Sequence, residues 1–238
     1  VASAPGRDVI TVNPSGAGIY LRITETDPNQ TGNYLRNLRV VPTALEDSYP
    51  TEIFNPAFIE KIQPFPAFRF MNWMKTTDSK QKEWSNRPTL DDATWSKAGA
   101  PVELMVELAN RLDSDPWFTL PHQATDEYVI NFATYVRDHL DPDLKIYVEY
   151  SNEVWNGMFE QAQWVQQQAK QEWGKGGYGE GLEWFGKRTT EITQIWDEVF
   201  GPENERVIGV MGAQAANPWT AQTALNYEAW AEQPLSHA

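Results

Sequence analysis

The residues best suited to chemistry stand together at the end of a short apolar run near the middle of the chain. Ile146–Tyr150 is rich in β-branched and aromatic residues, which predicts a buried strand. Asn152 and Glu153 follow almost at once, and Trp155 comes next. A carboxyl group can protonate a leaving oxygen, an amide can hold a hydroxyl, and an indole can stack on the C–H face of a sugar ring. The stretch therefore favours acid catalysis on a sugar. The alternative is a solvated Glu in a strand-to-helix loop.

Side-chain alternation along this strand predicts which residues share a face. Successive side chains of a strand point to opposite sides, so we expect Glu149, Ser151 and Glu153 to share one face. Val148 and Asn152 are expected on the other face. Glu153 is thereby predicted to leave the sheet at its carboxyl edge, on the side that Glu149 occupies.

Polar or aromatic residues also end three other predicted strands. Trp73 follows Ala67–Met71, His122 follows Pro116–Leu120, and Gln214 follows Arg206–Met211. If the strands are parallel, their carboxyl ends meet at one edge, so these side chains are expected near Glu153 as substrate-binding groups. The alternatives are packing beneath a loop for Trp73 and Trp155, helix capping for His122, and an ordinary loop position for Gln214.

Strand-like and helix-like segments alternate along most of the chain. A fifth strand is predicted at Leu35–Val41, and helices are predicted at 57–62, 101–112, 126–140, 159–173, 182–200 and 218–230. The polar segment 75–99 is too long for a plain connection. The alternation indicates an α/β fold with parallel strands and helical crossovers. Because no strand precedes a phosphate-cradling glycine loop, we favour a (β/α)8 TIM barrel, with about its first five βα units present, over a nucleotide-binding doubly wound sheet.

The N-terminal residues show a different pattern. Two short strand-like runs, Asp8–Val12 and Gly18–Thr24, alternate with turn signals, the last of them at 27–32. We therefore expect a short β-rich segment at 1–34. Residues 35–238 are expected to form the N-terminal part of an incomplete catalytic barrel.

Composition excludes several classes of function. The formal net charge of −14 disfavours nucleic acid and anionic lipid as partners. The chain has no Cys and only three His, so we expect no disulfide, no thiolate or imidazole metal site, and no cofactor. No apolar run approaches the ~20 residues that span a bilayer. The Val-Ala-Ser-Ala-Pro start resembles a processed terminus, from which we expect an extracellular or periplasmic location.

Several of these motifs together resemble a known group of enzymes. The motif Tyr-Ser-Asn-Glu-Val-Trp at 150–155 resembles the Asn-Glu signature that ends the fourth barrel strand of clan A retaining glycoside hydrolases, which include cellulase-, mannanase- and xylanase-like families. Arg69 lies near the end of the second predicted strand, where these enzymes keep an Arg beside the nucleophile. His122 falls on the third, where they often place a substrate-contacting group. The motifs at 68–73 and 121–126 are similar to bacterial cellulases or cellulose-binding proteins. The resemblance covers roughly residues 35 to 230.

The resemblance implies an endo-β-glucanase-like hydrolysis of β-glycosidic bonds in a polysaccharide by retaining double displacement. Glu153 would act as general acid and then general base, and Asn152 would bind the 2-hydroxyl of the sugar. A retaining enzyme needs a second carboxylate about 5–5.5 Å away, and this clan carries it on the seventh strand. Glu149 would lie about 13 Å away along the strand, so we expect it to form a core ion pair with Arg69.

Asp78 and Asp126 lie on predicted loops, but their spacing favours neither as nucleophile. We therefore expect the nucleophile to lie outside this chain, and the remainder of a larger polypeptide to be its partner, as a second chain or a further segment. Two rival functions are a non-catalytic carbohydrate-binding barrel and a Mg²⁺-dependent barrel enzyme. The latter needs acids at several strand ends, whereas only Glu153 stands at one.

Overall fold

The structure is a computed structural model that describes residues 6–13, 16, 18 and 20–225. The chain divides into two compact units, Val1–Glu60 and Lys61–Ala238. None of the helices among the described residues is both long and apolar enough to cross a membrane.

The described residues of the first unit contain little regular structure. Its regular structure consists of a short 3₁₀ helix at Thr43–Leu45 and the start of helix α1, Pro56–Ile62, which continues past the unit's last residue. Asn55 caps α1, because its Oδ1 accepts a hydrogen bond from the amide of Ala57 at 2.9 Å. The turn at 27–32 is also confirmed, since the Asp27 carboxylate accepts bonds from the amides of Thr31 and Gly32.

The predicted N-terminal strands are wrong where the structure describes them. Apart from an isolated β-bridge at Arg7, no described residue between 6 and 42 is in a strand, which includes Leu35–Val41 and the described residues of 8–12 and 18–24. The physical reason is that an apolar, β-branched run becomes a strand only when another strand pairs with it. In 35–41 the amide of Leu35 bonds to the carbonyl of Thr26 in a local contact, and Asn37 adopts a left-handed conformation with φ of 55°.

The second unit alternates strands and helices. The strands are β1 (Ala67–Arg69), β2 (Asp115–Leu120), β3 (Ile146–Tyr150) and β4 (Val207–Val210). The helices are α2 (Val102–Leu112), α3 (Asp126–His139), α4 (Glu160–Trp173), α5 (Tyr178–Phe200) and α6 (Pro218–Leu225), with short 3₁₀ helices at Trp84–Asn86 and Gly201–Arg206. Each of these strands and long helices overlaps a predicted one. The part of the last predicted helix beyond Leu225 lies outside the described residues.

The four strands form one parallel sheet in the order β1-β2-β3-β4. Every neighbour in the sheet is also a neighbour in the chain, and each connection passes through at least one helix. The α/β class with parallel strands is therefore confirmed. The predicted count of five strands is corrected to four in the described residues, because Leu35–Val41 does not join the sheet. The strand before Glu153 is thus the third of this sheet.

The two faces of the sheet have different environments. Phe118 of β2 is fully buried and packs edge-on against Phe132 of α3, with ring centroids 5.1 Å apart. Tyr150 of β3 stacks on Phe185 of α5 at 5.9 Å. This face is the apolar core under the helices. The opposite face carries the Arg69–Glu149 pair and the half-exposed rings of Trp117 and Tyr147, whose centroids are 5.8 Å apart.

Helix α5 begins four residues earlier than predicted, at Tyr178, and contains glycines both before and within the predicted helix. A Cβ at Gly186 would lie 2.1 Å from the carbonyl oxygen of Ala224 in α6, and one at Gly181 would lie 2.7 Å from Cγ of Gln166 in α4. These glycines allow close approach of neighbouring helices, so tertiary packing outweighs their low helix propensity.

The segment between β1 and α2 is a structured part of the fold, as its length suggests. The ring of Trp84 contacts Tyr128 of α3 edge-on, with centroids 5.6 Å apart. The hydroxyl of Thr76 donates to the carbonyl of Thr119 in β2 at 2.6 Å. This loop is thereby attached both to the helical layer and to the end of the sheet, and it reaches the residues described next.

Candidate functional site

The chain leaves β3 through a strained turn. Ser151 and Glu153 both adopt left-handed backbone conformations, with φ of 61° and 46°. For non-glycine residues such conformations cost about 1–3 kcal/mol each, and they cluster at functional sites. The strand pairing ends at the same point, since the amide of Ser151 makes the last bond, to the carbonyl of Leu120, at 2.9 Å. Strand alternation therefore stops at Tyr150, and the predicted shared face of Glu149, Ser151 and Glu153 does not form.

The Glu153 side chain is held by its own turn. Asn156 Nδ2 donates to Glu153 Oε2 at 3.1 Å, and the amide of Asn156 donates to the carbonyl of Glu153 at 2.9 Å. The residue is half-buried. A carboxyl group fixed from one side and open on the other can still reach a ligand and exchange a proton with it. Asn156 is a site residue to which the sequence analysis assigned no role.

Glu149 lies at the centre of a hydrogen-bond network on the open face of the sheet. Arg69 of β1 donates to both of its oxygens, from Nε and Nη2, at 2.8 Å each. Trp117 Nε1 donates at 2.9 Å and Thr119 Oγ1 at 3.1 Å. The predicted ion pair between Arg69 and Glu149 is confirmed. A carboxylate with four donors is satisfied as a structural anchor.

The electrostatics of this pair are asymmetric. Glu149 is 4% exposed, whereas the side chain of Arg69 is 33% exposed. Burial raises the pKa of Glu149, and the Arg69 charge and the hydrogen bonds oppose that rise. The guanidinium of Arg69 also lies 5.3 Å from the centre of the Trp117 ring. One edge of the Arg69 guanidinium therefore contacts the buried Glu149, while the rest of the side chain is partly exposed to solvent.

Asn152 joins Arg69 to the loop after β1. Its Oδ1 accepts from Arg69 Nη2 at 3.1 Å, and its Nδ2 donates to Thr77 Oγ1 at 3.1 Å. Each end of the amide still has capacity for one further bond. The structure thus brings together two predicted site residues, Arg69 and Asn152, and orients the amide without saturating it.

A buried glutamine supports this arrangement and was missed from the sequence. Gln161 in the first turn of α4 is fully buried; its Nε2 donates to the carbonyl of Asn152 at 2.7 Å, and its Oε1 accepts from the amide of Asp78 at 3.0 Å. Asp78 in turn accepts a bond from the amide of Glu160 at 2.7 Å. The loops after β1 and β3 are therefore tied to the start of α4. No periodicity could reveal a polar residue buried by contacts so distant in sequence.

His122 occupies a different environment from the one predicted for a substrate contact. It is 3% exposed, and its ring packs edge-on against Trp164 of α4, with centroids 5.8 Å apart. Burial lowers its pKa to about 4, so the imidazole is neutral at neutral pH. Its carbonyl accepts the hydroxyl of Tyr150 at 2.7 Å. These contacts give His122 a structural role in the core and lend no support to substrate contact.

The predicted aromatic residues lie in two places. Trp73 is half-buried and packs on Phe70, with ring centroids 5.6 Å apart. Trp155, also half-buried, reaches across the end of β4, where a Cβ at Gly212 would lie 3.6 Å from its ring and 3.1 Å from Glu149 Oε1. Trp155 therefore borders the same edge of the sheet as the Glu149 network.

Gln214 belongs to the turn that precedes α6. Its amide donates to Thr220 Oγ1 at 3.2 Å, and its carbonyl accepts from the amide of Asn217 at 3.0 Å. Its side chain is half-exposed. The backbone of Gln214 is thus part of the helix start, while its side-chain amide stays accessible from the carboxyl edge of the sheet.

The two other acids considered as nucleophiles have structural partners. Asp126 starts α3 and pairs with Arg188 at 2.7 Å, and Asp78 caps α4. Within residues 6–13, 16, 18 and 20–225, no three His, Cys, Asp or Glu side chains come together as a metal site would require. No family model, curated protein or solved structure matches the chain.

Proposed function

We propose that the chain forms part of a glycoside hydrolase that cleaves β-linked polysaccharide with retention, with Glu153 as general acid and base. The observation that carries the proposal is the strained turn after β3. It presents the half-open carboxylate of Glu153, fixed by Asn156, next in sequence to the oriented amide of Asn152. The resemblance of 150–155 to the Asn-Glu signature of clan A supports the same reaction.

The barrel architecture is part of this proposal. A sheet whose four parallel strands follow one another without reversal agrees with a singly wound (β/α)8 barrel, because a doubly wound sheet reverses its strand order at a switch point. In such a barrel the face with Arg69, Trp117 and Glu149 is the interior, and the loop with Glu153 lies at the catalytic end.

The roles of the residues follow from their contacts. Glu153 donates a proton to the departing glycosidic oxygen and later removes one from water. Asn152 uses its spare amide hydrogen for a sugar hydroxyl, and Arg69 holds that amide in place. Trp155 offers its ring to the sugar. None of the described residues is assigned as the nucleophile, which we place outside this chain; the proposed location is extracellular or periplasmic.

The deciding experiment replaces Glu153 by Gln in this chain and measures hydrolysis in the presence of the remainder of the polypeptide that supplies the nucleophile. We expect hydrolysis of natural β-glucan to fall at least about 100-fold, because general acid catalysis contributes about 10²–10⁴. Cleavage of a dinitrophenyl glycoside should lose much less in its first step, because that leaving group needs little protonation. Glu198→Gln, at an exposed position near the far end of α5, serves as the control. Equal losses on both substrates would remove Glu153 from the acid role.

A second candidate is a non-catalytic carbohydrate-binding protein with the same fold. The half-exposed ring of Trp155 favours it, since sugar stacking requires no chemistry. If this chain, combined with the remainder of the polypeptide that would supply the nucleophile, binds β-glucan but hydrolyses no aryl glycoside, this candidate replaces the hydrolase.

A further inference from the structure

Two aromatic side chains lie stacked and exposed where α5 and α6 begin. Tyr178 is 40% exposed and Trp219 is 46% exposed. Their ring centroids are 5.7 Å apart, with an angle of 20° between the planes. The indole packs close to α5, since a Cβ at Gly179 would make an ordinary van der Waals contact with Trp219 at 3.7 Å. Tyr178 thus supports one side of the indole and leaves much of the ring in solvent.

The exposed indole forms one wall of a polar groove. An open space of about 340 Å³ is lined by Gly179, Glu180, Glu183, Trp219, Gln222 and Thr223. Glu183 is half-buried, and among the described residues nothing donates a hydrogen bond to its carboxylate. Gln222 is exposed and can both donate and accept. The groove therefore combines an aromatic surface with uncommitted polar groups.

This combination fits one ring of a neutral sugar. The C–H face of a pyranose stacks on an indole, while its hydroxyls donate to a carboxylate and exchange bonds with an amide. Two carboxylates, Glu180 and Glu183, disfavour a uronic acid through like-charge repulsion. A cation is a weaker fit because aromatic cages surround a cation with several rings, whereas Tyr178 and Trp219 stack on each other.

The groove is connected to the loop that carries Glu153. The hydroxyl of Tyr178 donates to the carbonyl of Trp155 at 3.1 Å. Trp155 is two residues after Glu153, so their Cα atoms are at most about 7 Å apart. A short run of linked sugars could therefore contact both places.

We propose that Tyr178, Trp219, Glu183 and Gln222 form an outer subsite for one unit of a neutral β-linked glycan. The inference rests on the proposed glycan-directed function and extends it. An outer subsite lengthens the binding surface beyond the cleaved bond, which favours a polymeric substrate over a disaccharide.

The test measures binding to the full chain by calorimetry. The probes are β-linked gluco-, manno- and xylo-oligosaccharides of two and six units, a six-unit β-linked mannuronate, and choline. We expect at least one neutral six-unit probe to bind. Trp219→Ala should weaken it about tenfold, as the loss of a stacked aromatic implies, and should change two-unit binding less than twofold. Glu183→Gln should weaken it severalfold, and mannuronate should bind at least tenfold less tightly.

The control is Phe65→Ala, which removes another exposed aromatic before β1, at the opposite edge of the sheet. Unchanged six-unit binding in a folded Trp219→Ala protein, equal loss for both lengths, tighter binding of mannuronate, or binding of choline alone would each overturn the subsite. Failure of every neutral sugar to bind would overturn both proposals. If Trp219→Ala weakens binding while Glu153→Gln retains hydrolysis, the subsite stands and only the role of Glu153 fails.

Discussion

At the scale of single residues, Arg69 has two roles: it pairs with a buried acid and it orients the Asn152 amide. One edge of its guanidinium neutralises the buried Glu149, and its Nη2 also donates to the Asn152 amide. Removing the cation from a buried ion pair destabilises the folded protein, because the cost of taking the carboxylate out of water is then no longer compensated. Arg69 therefore stabilises the sheet and orients the site at once.

We predict that Arg69→Met lowers the free energy of unfolding by about 3 kcal/mol at pH 7, because it removes the cation that pairs with the buried Glu149 carboxyl group. The sign of the pH effect follows from the pKa of Glu149, which burial raises above its unfolded value. The folded state therefore binds the Glu149 proton more tightly than the unfolded state does. The stability that this proton contributes is present at low pH and is lost as pH rises through the folded pKa. The deficit of the variant relative to wild type should therefore be smaller at pH 5 than at pH 7.

Urea unfolding of four proteins measures this coupling: wild type, Arg69→Met, Glu149→Gln and the double variant. We expect the double variant to be more stable than Arg69→Met, since it removes the orphaned charge. Additive losses would show that the two side chains do not interact.

At the scale of elements, α5 packs against the loop after β3 and against both neighbouring helices, α4 and α6. α5 starts beside Trp155 and runs back toward the start of β4, and its glycines let α4 and α6 approach closely. The helix therefore positions the loop after β3 and the start of α6 against each other. Packing against α4 and α6 stabilises α5 more than the helix propensity of its own glycine-containing sequence does.

We predict that Gly186→Ala destabilises the protein by about 1–3 kcal/mol, the usual cost of overpacking. In an isolated helix the same change would stabilise by about 1 kcal/mol. The clash outweighs this gain because the new Cβ would meet the backbone oxygen of Ala224, which only a shift of α6 can relieve.

Thermal unfolding checks this expectation, with Gly157→Ala as the matched control. Gly157 is exposed, and a Cβ there meets nothing within 4 Å, so we expect a change within about 0.5 kcal/mol. A stabilised Gly186→Ala protein would show that α6 moves freely against α5.

At the scale of the whole molecule, the two compact units differ in regular structure. The second unit contains the entire parallel sheet, whereas residues 20–40 of the first have no regular structure and are mostly exposed. Segments of this kind are the preferred sites of proteolysis because the backbone can enter a protease without breaking ladder or helix bonds. The core should remain intact after such cleavage.

We predict that brief trypsin digestion of the full chain cuts first after Arg22, Arg36 or Arg39, which are all exposed. Mass spectrometry of the early fragments identifies the cut sites. First cuts inside α2, α3, α4 or α5 would contradict the assignment of the stable core to the second unit.

Local sequence was sufficient for most elements of the second unit. The 3.6-residue period of Val102–Leu112 and the β-branched run at Ile146–Tyr150 both mark elements that form, because burial rewards such patterns wherever they fold. The ion pair of Arg69 with Glu149 was also predictable, since a buried acid on a strand demands a cation.

Tertiary structure alone decided the rest. Leu35–Val41 has the composition of a strand and remains unpaired, because pairing depends on a partner and not on propensity. The hydrogen bonds of Arg69 with Asn152 and of Gln161 with Asp78 join segments some 80 residues apart. The sequence thus determined which residues could do chemistry. Their arrangement in space required the loops after β1 and β3 to meet the start of α4. Such long-range contacts carry no periodic signal, since each depends on the shape of the whole fold.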